Sequence, residues 1–282
     1  MAQILFLDTP EYSAVNSAVE ISKKAGFDKL VNGVLRNICR KKKSLIKNLN
    51  PNTNLPEWIK RDIKKNFGEK ILSKISQKIV EEPYIDIKIK SSSYGSKDWA
   101  KILNGKIIFP EIIRTKSQGP IPSLPFFNDG LWWVQGLASI FPVIIINEIY
   151  KDSNKNSVAV LDVGAAPGGK TFQLIESGYD ITSLEISSKR IKKLNENLRR
   201  LNLRTKIICK DLKKLNSTNL YDCILIDAPC TGSGLIQKKP EILVRDKSEN
   251  LKQLVDRQKS LLSKSTQLLK VGGHIIYCVC SI

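Results

Sequence analysis

The chain has 282 residues, 41% hydrophobic and 26% charged. That is enough apolar material for one large domain or two modest ones, and too much for a disordered or collagen-like polypeptide. Lys and Arg number 46 against 27 Asp and Glu, a net charge of +19 with a single His. A polyanion is the natural partner of such a chain, with drift toward Lys as the competing reading. The longest apolar run, 137–146, is shorter than the roughly 18 residues of a membrane span and contains Ser139 and Pro142. The opening MAQILFLDTPEY does not read as a secretion signal.

Apolar residues recur at helical spacing over 14–38 and again over 56–80, so the first eighty residues are predicted to be helical, with 48–54 as an Asn- and Pro-punctuated linker. Residues 20–80 hold sixteen basic and five acidic side chains, a net +11. Arg36, Arg40, Lys41, Lys42 and Lys43 form a cluster after the first helix that could grip phosphates, or simply solvate a helix end. From 83 to about 125 the pattern turns to short alternating strands, a small α+β subdomain. Trp132 and Trp133 follow and are expected to pack a junction between domains.

From 158 onward strands and helices alternate. Strands are predicted at 158–164, 180–186, 206–209, 222–227 and 274–280, with helices at 169–176, 188–201 and about 250–269. This pattern predicts a parallel sheet covered on both faces, with its ligand site at the carboxyl ends of the strands. The expected divisions are 1–50, 51–145 and 146–282.

Three stretches carry chemistry. DVGAAPGGKT (162–171) follows the first strand, and its glycines let the backbone turn sharply toward a ligand before a helix begins. Gly164, Gly169, Lys170 and Thr171 also fit a phosphate-binding loop, which would need a Mg²⁺ carboxylate near Thr171. Glu185, an acid ending the second strand, favours a nucleoside, because such a carboxylate accepts from ribose hydroxyls. Asp211, after the third strand, could accept from an adenine amino group. DAPCTGSG (227–234) and YCVCS (277–281) bring Cys230 and Cys280 to the same edge.

The six cysteines imply free thiols and a reducing compartment, the cytosol. Cys39, Cys209, Cys223 and Cys278 read as buried small hydrophobes. The spacing of Cys278 and Cys280 does not fit a zinc site, no metal is expected, and His274 reads as a bystander. What remains is a thiolate nucleophile beside a nucleoside cofactor, with Lys170 as the cation that would lower its pKa.

DVGAAPGGKT, DAPCTGSG and YCVCS together resemble the signature loops of S-adenosylmethionine-dependent RNA cytosine-C5 methyltransferases. Residues 14–38 and 127–142 resemble the NusB-like helices and the pre-catalytic segment of the bacterial 16S rRNA methyltransferase B (Sun/Fmu) branch. The resemblance implies a Rossmann-like class I methyltransferase sheet preceded by a helical NusB-like remnant and the α+β subdomain. It implies methyl transfer to C5 of a cytosine in small-subunit rRNA, at position 967, by a cytoplasmic monomer with no membrane partner. A catalytically inactive RNA-binding factor on the same fold is the alternative.

Carried onto this sequence, Cys280 would attack cytosine C6, Asp227 would protonate or hydrogen-bond N3, and Cys230 would help resolve the adduct. The cofactor would lie on Gly164, Ala165, Ala166, Pro167, Gly168, Gly169 and Lys170, with Glu185, Arg190, Asp211 and Asp227 around it. Lys239, Pro240, Glu241 and Arg245 would help position substrate. The sequence departs from the family at Val279, where Thr is usual before the nucleophile, at Gly136, where Asp follows Gln135, and at Glu185, where Asp is commoner. A complete sheet of this type has two further strands and a fuller NusB-like bundle. The chain is therefore expected to be incomplete at both ends, with its fifth strand an exposed edge and low stability or solubility as a result.

Overall fold

The structure is a computed structural model that describes residues 1–7, 9–93, 95–116, 119–216, 220–244 and 250–282. Its contacts divide the chain into two compact units, Met1–Lys78 and Ile79–Ile282. The sequence suggested boundaries at 50/51 and 145/146. The contacts instead group the two helices after the linker with those before it, and the small antiparallel sheet with the parallel one.

The first unit is helical: α1 (Ala2–Leu5), α2 (Glu11–Lys23), α3 (Asp28–Lys47), α4 (Glu57–Phe67) and α5 (Glu69–Lys78). Each long apolar stretch read as one helix is two. Gly26 (φ +73°) turns the chain between α2 and α3, and Gly68 (φ +81°) separates α4 from α5, a left-handed region that an L side chain adopts at a cost. Ile4, Ala14, Val15 and Leu35 form the core that joins α1, α2 and α3. The basic cluster is not past a helix end, because α3 runs on to Lys47. Arg36, Arg40, Lys41 and Lys43 are exposed on it and Lys42 is half-buried.

The second unit begins with β1 (Ile85–Ile89), α6 (Ser96–Ile102), β2 (Lys106–Phe109), β3 (Ile112–Thr115) and β4 (Trp132–Val134), the strands forming an antiparallel sheet in the order β2-β3-β1-β4. Helix α6 and strand β4 were not legible in the sequence. Asp86 of β1 faces Arg114 of β3 in register, and the guanidinium donates to both carboxylate oxygens at 2.7 and 3.0 Å. Successive residues of a strand point to opposite faces. Trp132 accordingly enters the core of the small sheet with Ile87, Ile89 and Trp99, while Trp133 packs with Phe172, Leu194 and Leu198. Both indoles are buried, within one compact unit.

Next come α7 (Phe141–Ile149), β5 (Ala159–Val163), α8 (Gly169–Glu176), β6 (Asp180–Glu185), α9 (Ser188–Arg200), β7 (Lys206–Cys209), β8 (Tyr221–Asp227), α10 (Asn250–Thr266) and β9 (Leu269–Cys278). The five strands form a sheet in the order β7-β6-β5-β8-β9, all parallel. Its alternating residues feed two cores. Leu161, Val163, Ile224 and Ile226 pack on one face with Leu261 of α10, and Val160, Cys223 and Leu225 pack on the other with Val143, Ile146 and Leu174 of α7 and α8.

Strand β9 departs from its sequence reading at both ends. It begins at Leu269, where helix was expected, and an irregularity at Gly272 and Gly273 separates the Tyr221–Leu269 rung from the Cys223–His274 rung. It ends at Cys278, so Cys280 lies just beyond the strand. Cys209 is exposed rather than buried, because β7 is an edge strand, and Cys39 and Cys278 are half-buried. Among the described residues no helix is long and apolar enough to cross a membrane.

Candidate functional site at the carboxyl edge of the parallel sheet

The loop after β5 is built to turn close to other backbone. Gly164 has φ +82°, and a Cβ there would come 3.0 Å from the Asp227 carbonyl oxygen. Gly168 has φ +120°, and a Cβ there would overlap the Phe172 ring at 1.9 Å. The loop is tied to its neighbours from several sides: Gly164 N–H donates to the Leu184 carbonyl at 2.9 Å, Asn197 Nδ2 to Pro167 O at 3.1 Å, and the Arg190 guanidinium to Ala166 O. Ala165 and Ala166 are buried against α9. The first turn of α8 leaves backbone N–H groups directed at this loop.

Glu185 ends β6 beside the loop and is 2% exposed. Its Oε1 accepts the Ser187 N–H at 3.0 Å, while Oε2 lies 3.0 Å from an Arg190 guanidinium nitrogen without an aligned hydrogen bond. A buried carboxylate oxygen with unfilled acceptor capacity at a strand end suits the hydroxyls of a ribose. Asp211 caps the turn after β7, accepting the Lys213 N–H at 3.0 Å, and is half-buried. These residues therefore fit a nucleoside-bearing group.

They do not fit the phosphate-loop alternative. Thr171 is fully buried and its hydroxyl donates to Asp162 at 2.5 Å, so it is not available to a metal ion. Lys170 Nζ is committed to Asp227 Oδ2 at 2.8 Å. Burial pushes the Asp162 carboxyl up to about 6, against the opposing effects of Thr171 and Lys170. Burial pulls the Lys170 ammonium down, but the charge and hydrogen bond of Asp227 outweigh it and leave Lys170 above its ordinary value.

The loops after β8 and β9 bring the two candidate thiols together, Cys230 Sγ lying 3.2 Å from Cys280 Sγ. Backbone bonds zip the two segments: Ala228 N–H to Cys278 O and Gly234 N–H to Cys280 O, both at 2.9 Å. Hydroxyls continue the zip, with Thr231 Oγ1 2.9 Å from Ser281 Oγ and Ile282 N–H donating to Ser233 Oγ at 2.9 Å. A Cβ at Gly234 would stand 2.9 Å from the Cys280 carbonyl oxygen, so this approach requires glycine. From α10, Gln258 Nε2 donates to Pro229 O at 2.8 Å and fixes the turn before Cys230.

The expected influence of Lys170 on the nucleophile is not what the structure shows. Lys170 acts on Cys278, which burial nevertheless pushes up to about 11. Cys280 is also pushed up to about 11, by burial, then by the hydrogen bond and charge of Cys230, then by Asp227. Burial raises Cys230 too, but hydrogen bonds from the side chains of Ser281 and Cys280 and from the backbone of Gly232 and Cys280 hold it below its ordinary value.

Two features of the site went unread in the sequence. One is Asp162, whose signal was its place two residues before Gly164. The other is a buried amide chain, in which Trp133 Nε1 donates to Gln135 Oε1 at 2.8 Å and Gln135 Nε2 to Gln173 Oε1 at 2.9 Å. Gln135 also backs Gly169, 3.6 Å from where a Cβ would stand. His274 lies on the Cys223 rung, away from the thiols, with Nδ1 3.1 Å from Tyr150 Oη. Lys239 is exposed, and Arg245 lies outside the described residues.

Residues 150–282 match the family described as 16S rRNA methyltransferase RsmB/F. That matched stretch, just under half of the chain, is what resembles the RsmB/F methyltransferases. Ahead of it, residues 1–40 match the NusB family. The ribosomal RNA small subunit methyltransferase B of Pasteurella multocida is 26% identical, over 99% of this chain and 66% of that protein, so the chain spans about two thirds of that relative's length. A methyltransferase homolog protein from Pyrococcus horikoshii is similar at 27% identity with a TM-score of 0.62, over 78% of this chain and 71% of that one. The chain also shares a fold with NSun6 from Pyrococcus horikoshii, solved with SFG, at 18% identity and a TM-score of 0.68 over 80% and 83% of the two chains.

Proposed function

We propose that this chain transfers a methyl group from S-adenosylmethionine to C5 of a cytosine in 16S rRNA, through a covalent bond between Cys280 and C6. The observation that carries the reading is the thiol pair, 3.2 Å apart, beside the Lys170–Asp227 pair and the glycine loop with its buried Glu185. Glu185 and the backbone of Gly164, Ala165, Ala166, Pro167, Gly168, Gly169 and Lys170 would hold the cofactor, with Arg190 bracing Glu185 and Asp211 near the adenine. When bound, the cofactor supplies an electrophilic methyl group.

C5 of cytosine is a poor nucleophile until sulfur adds at C6. As Cys280 sulfur bonds to C6, the electron pair of the C5–C6 double bond is taken up toward N3, where the Lys170–Asp227 pair supplies a proton. C5 then carries the electron density that accepts the methyl group. Once C5 has taken the methyl group, N3 returns its proton to the Lys170–Asp227 pair, and removal of the C5 proton by Cys230 expels Cys280 and restores the ring. Exposed Arg36, Arg40, Lys41 and Lys43 on α3, with Lys42 beside them, would hold rRNA phosphates without reading sequence. The modified base is proposed to be cytosine 967, the position the family resemblance implies.

The test is small-subunit rRNA carrying 5-fluorocytidine, incubated with the protein and S-adenosylmethionine. Fluorine at C5 blocks the final elimination, so a denaturant-stable protein–RNA adduct is expected from the native chain and is expected to vanish in Cys280→Ala. No adduct from the native chain would overturn catalysis and leave RNA binding alone.

A further inference from the structure

The methyltransferase reading leaves open what removes the proton from Cys280, and here the obvious candidates are occupied or distant. Lys170 is an ammonium with no lone pair and donates to Asp227 Oδ2 at 2.8 Å, and among the described residues no hydrogen bond joins Asp227 to Cys280. The negative charge of Asp227 also opposes ionisation of Cys280. His274 is paired with Tyr150 on the Cys223 rung. The remaining titratable group against Cys280 Sγ, among the described residues, is Cys230 Sγ at 3.2 Å.

We infer that Cys230 is the base that takes the Cys280 proton, so the attacking sulfur is generated within the cysteine pair. This rests on the proposed reaction at the same site. The geometry favours negative charge on Cys230: the Cys280 backbone N–H donates to Cys230 Sγ at 3.3 Å, and a thiolate accepts such bonds better than a thiol does. The Ser281 hydroxyl acts in the same direction, and the zip of the two loops holds the donors in place.

The protons balance. As the S–C6 bond forms, the Cys280 S–H bond breaks and its proton moves to Cys230, which then loses it to water. After methyl transfer, the Cys230 thiolate takes the C5 proton and passes it to Cys280 as the S–C6 bond breaks. One proton is released per methyl transferred, and the resting pair is restored. Ser281 is a positioning residue in this scheme.

Two measurements test it on the full chain. The first is alkylation by iodoacetamide followed by peptide mapping, with no cofactor or RNA. Cys230 is expected to react at least about tenfold faster than Cys280 at pH 7, since reactivity follows the thiolate fraction. Cys280 is expected to speed up in Cys230→Ser, because a neighbouring negative charge has been removed. Ser281→Ala is expected to slow Cys230 while leaving exposed Cys209 unchanged.

The second is the pH profile of 5-fluorocytidine adduct formation. Between pH 7 and 8.5 the native profile is expected to rise less steeply than that of Cys230→Ser, because Cys230 ionises below its ordinary value. In Cys230→Ser the rate is expected to rise by about tenfold per pH unit, as Cys280 ionises to solvent. Faster alkylation of Cys280 than Cys230 in the native chain, or a Cys230→Ser profile no steeper than the native one, would overturn the inference. Absence of any native adduct would overturn the methyltransferase reading instead, and the alkylation order would still decide this one.

Discussion

Two buried aspartates in the second unit are set against each other. The Asp162 carboxyl sits at about 6, above its unfolded value, because burial disfavours its charge. Between about pH 4 and 6 the folded chain keeps a proton that the unfolded chain has lost, so this stabilisation is present in acid and disappears as pH rises through 6. Asp86 is the reverse: burial raises it, but Arg114 and the Leu137 N–H outweigh that and leave it below its ordinary value. Its stabilisation is present near neutrality and is lost on acidification. Asp162→Asn is therefore expected to raise the melting temperature at pH 7 and to leave it less changed at pH 4, whereas Asp86→Asn is expected to lower it at pH 7. Melting curves from pH 4 to 7 check both signs. Gln135→Ala removes the acceptor of the buried Trp133 indole and a donor to Gln173, and is expected to cost about 1–3 kcal/mol in denaturant unfolding. These residues were hard to read in the sequence because their meaning lies in partners brought near only by the fold. The motif cysteines, Glu185 and the glycines were legible because each sits at a strand end, where sequence pattern and topology coincide.

At the scale of elements, β5, α8 and β7 stand where the sequence placed them, since apolar runs ended by glycine or acid mark parallel strands. Helix α6 was missed because it is a single short piece between Gly and Ser residues, and β4 because two adjacent tryptophans do not show an alternation. Gly130 shows how tightly one such connection is made. It has φ +68°, and a Cβ there would fall 1.9 Å from the Arg200 carbonyl oxygen at the end of α9. Arg200 in turn donates to the Phe127 and Trp132 carbonyls at 2.7 and 3.0 Å and lies over the Phe127 ring. Gly130→Ala is expected to destabilise the second unit by at least about 2 kcal/mol, read by urea unfolding. Helix α3 offers the opposite kind of site, one where change should be tolerated. Replacing exposed Arg36, Arg40 and Lys43 with Gln is expected to leave folding unchanged. It is expected to reduce the slope of log affinity for rRNA against log salt by about 2–3, as counterion release requires.

For the whole molecule, the two units hold separate cores, and such chains do not unfold as one cooperative block. Calorimetry is expected to show two transitions, and S-adenosylmethionine at a large excess over its Kd is expected to raise only the one belonging to Ile79–Ile282. A single transition that shifts as a whole would contradict this. The sequence pointed to a five-stranded parallel sheet and to the edge position of β9, but not to where the chain divides, because charge and helical period run continuously through 56–80.

The cysteine pair joins positions 50 residues apart, in the loops that follow two strands linked through α10. Parallel pairing of that kind cannot form locally, and long-range closure is slow to assemble. The distance between the two sulfurs therefore serves as a clock on folding: a short thiol-bridging reagent added during refolding would capture the pair only in molecules whose last crossover has closed. Competence for chemistry would thus lag behind recovery of helical signal, and a newly made chain would be chemically silent until its architecture is complete.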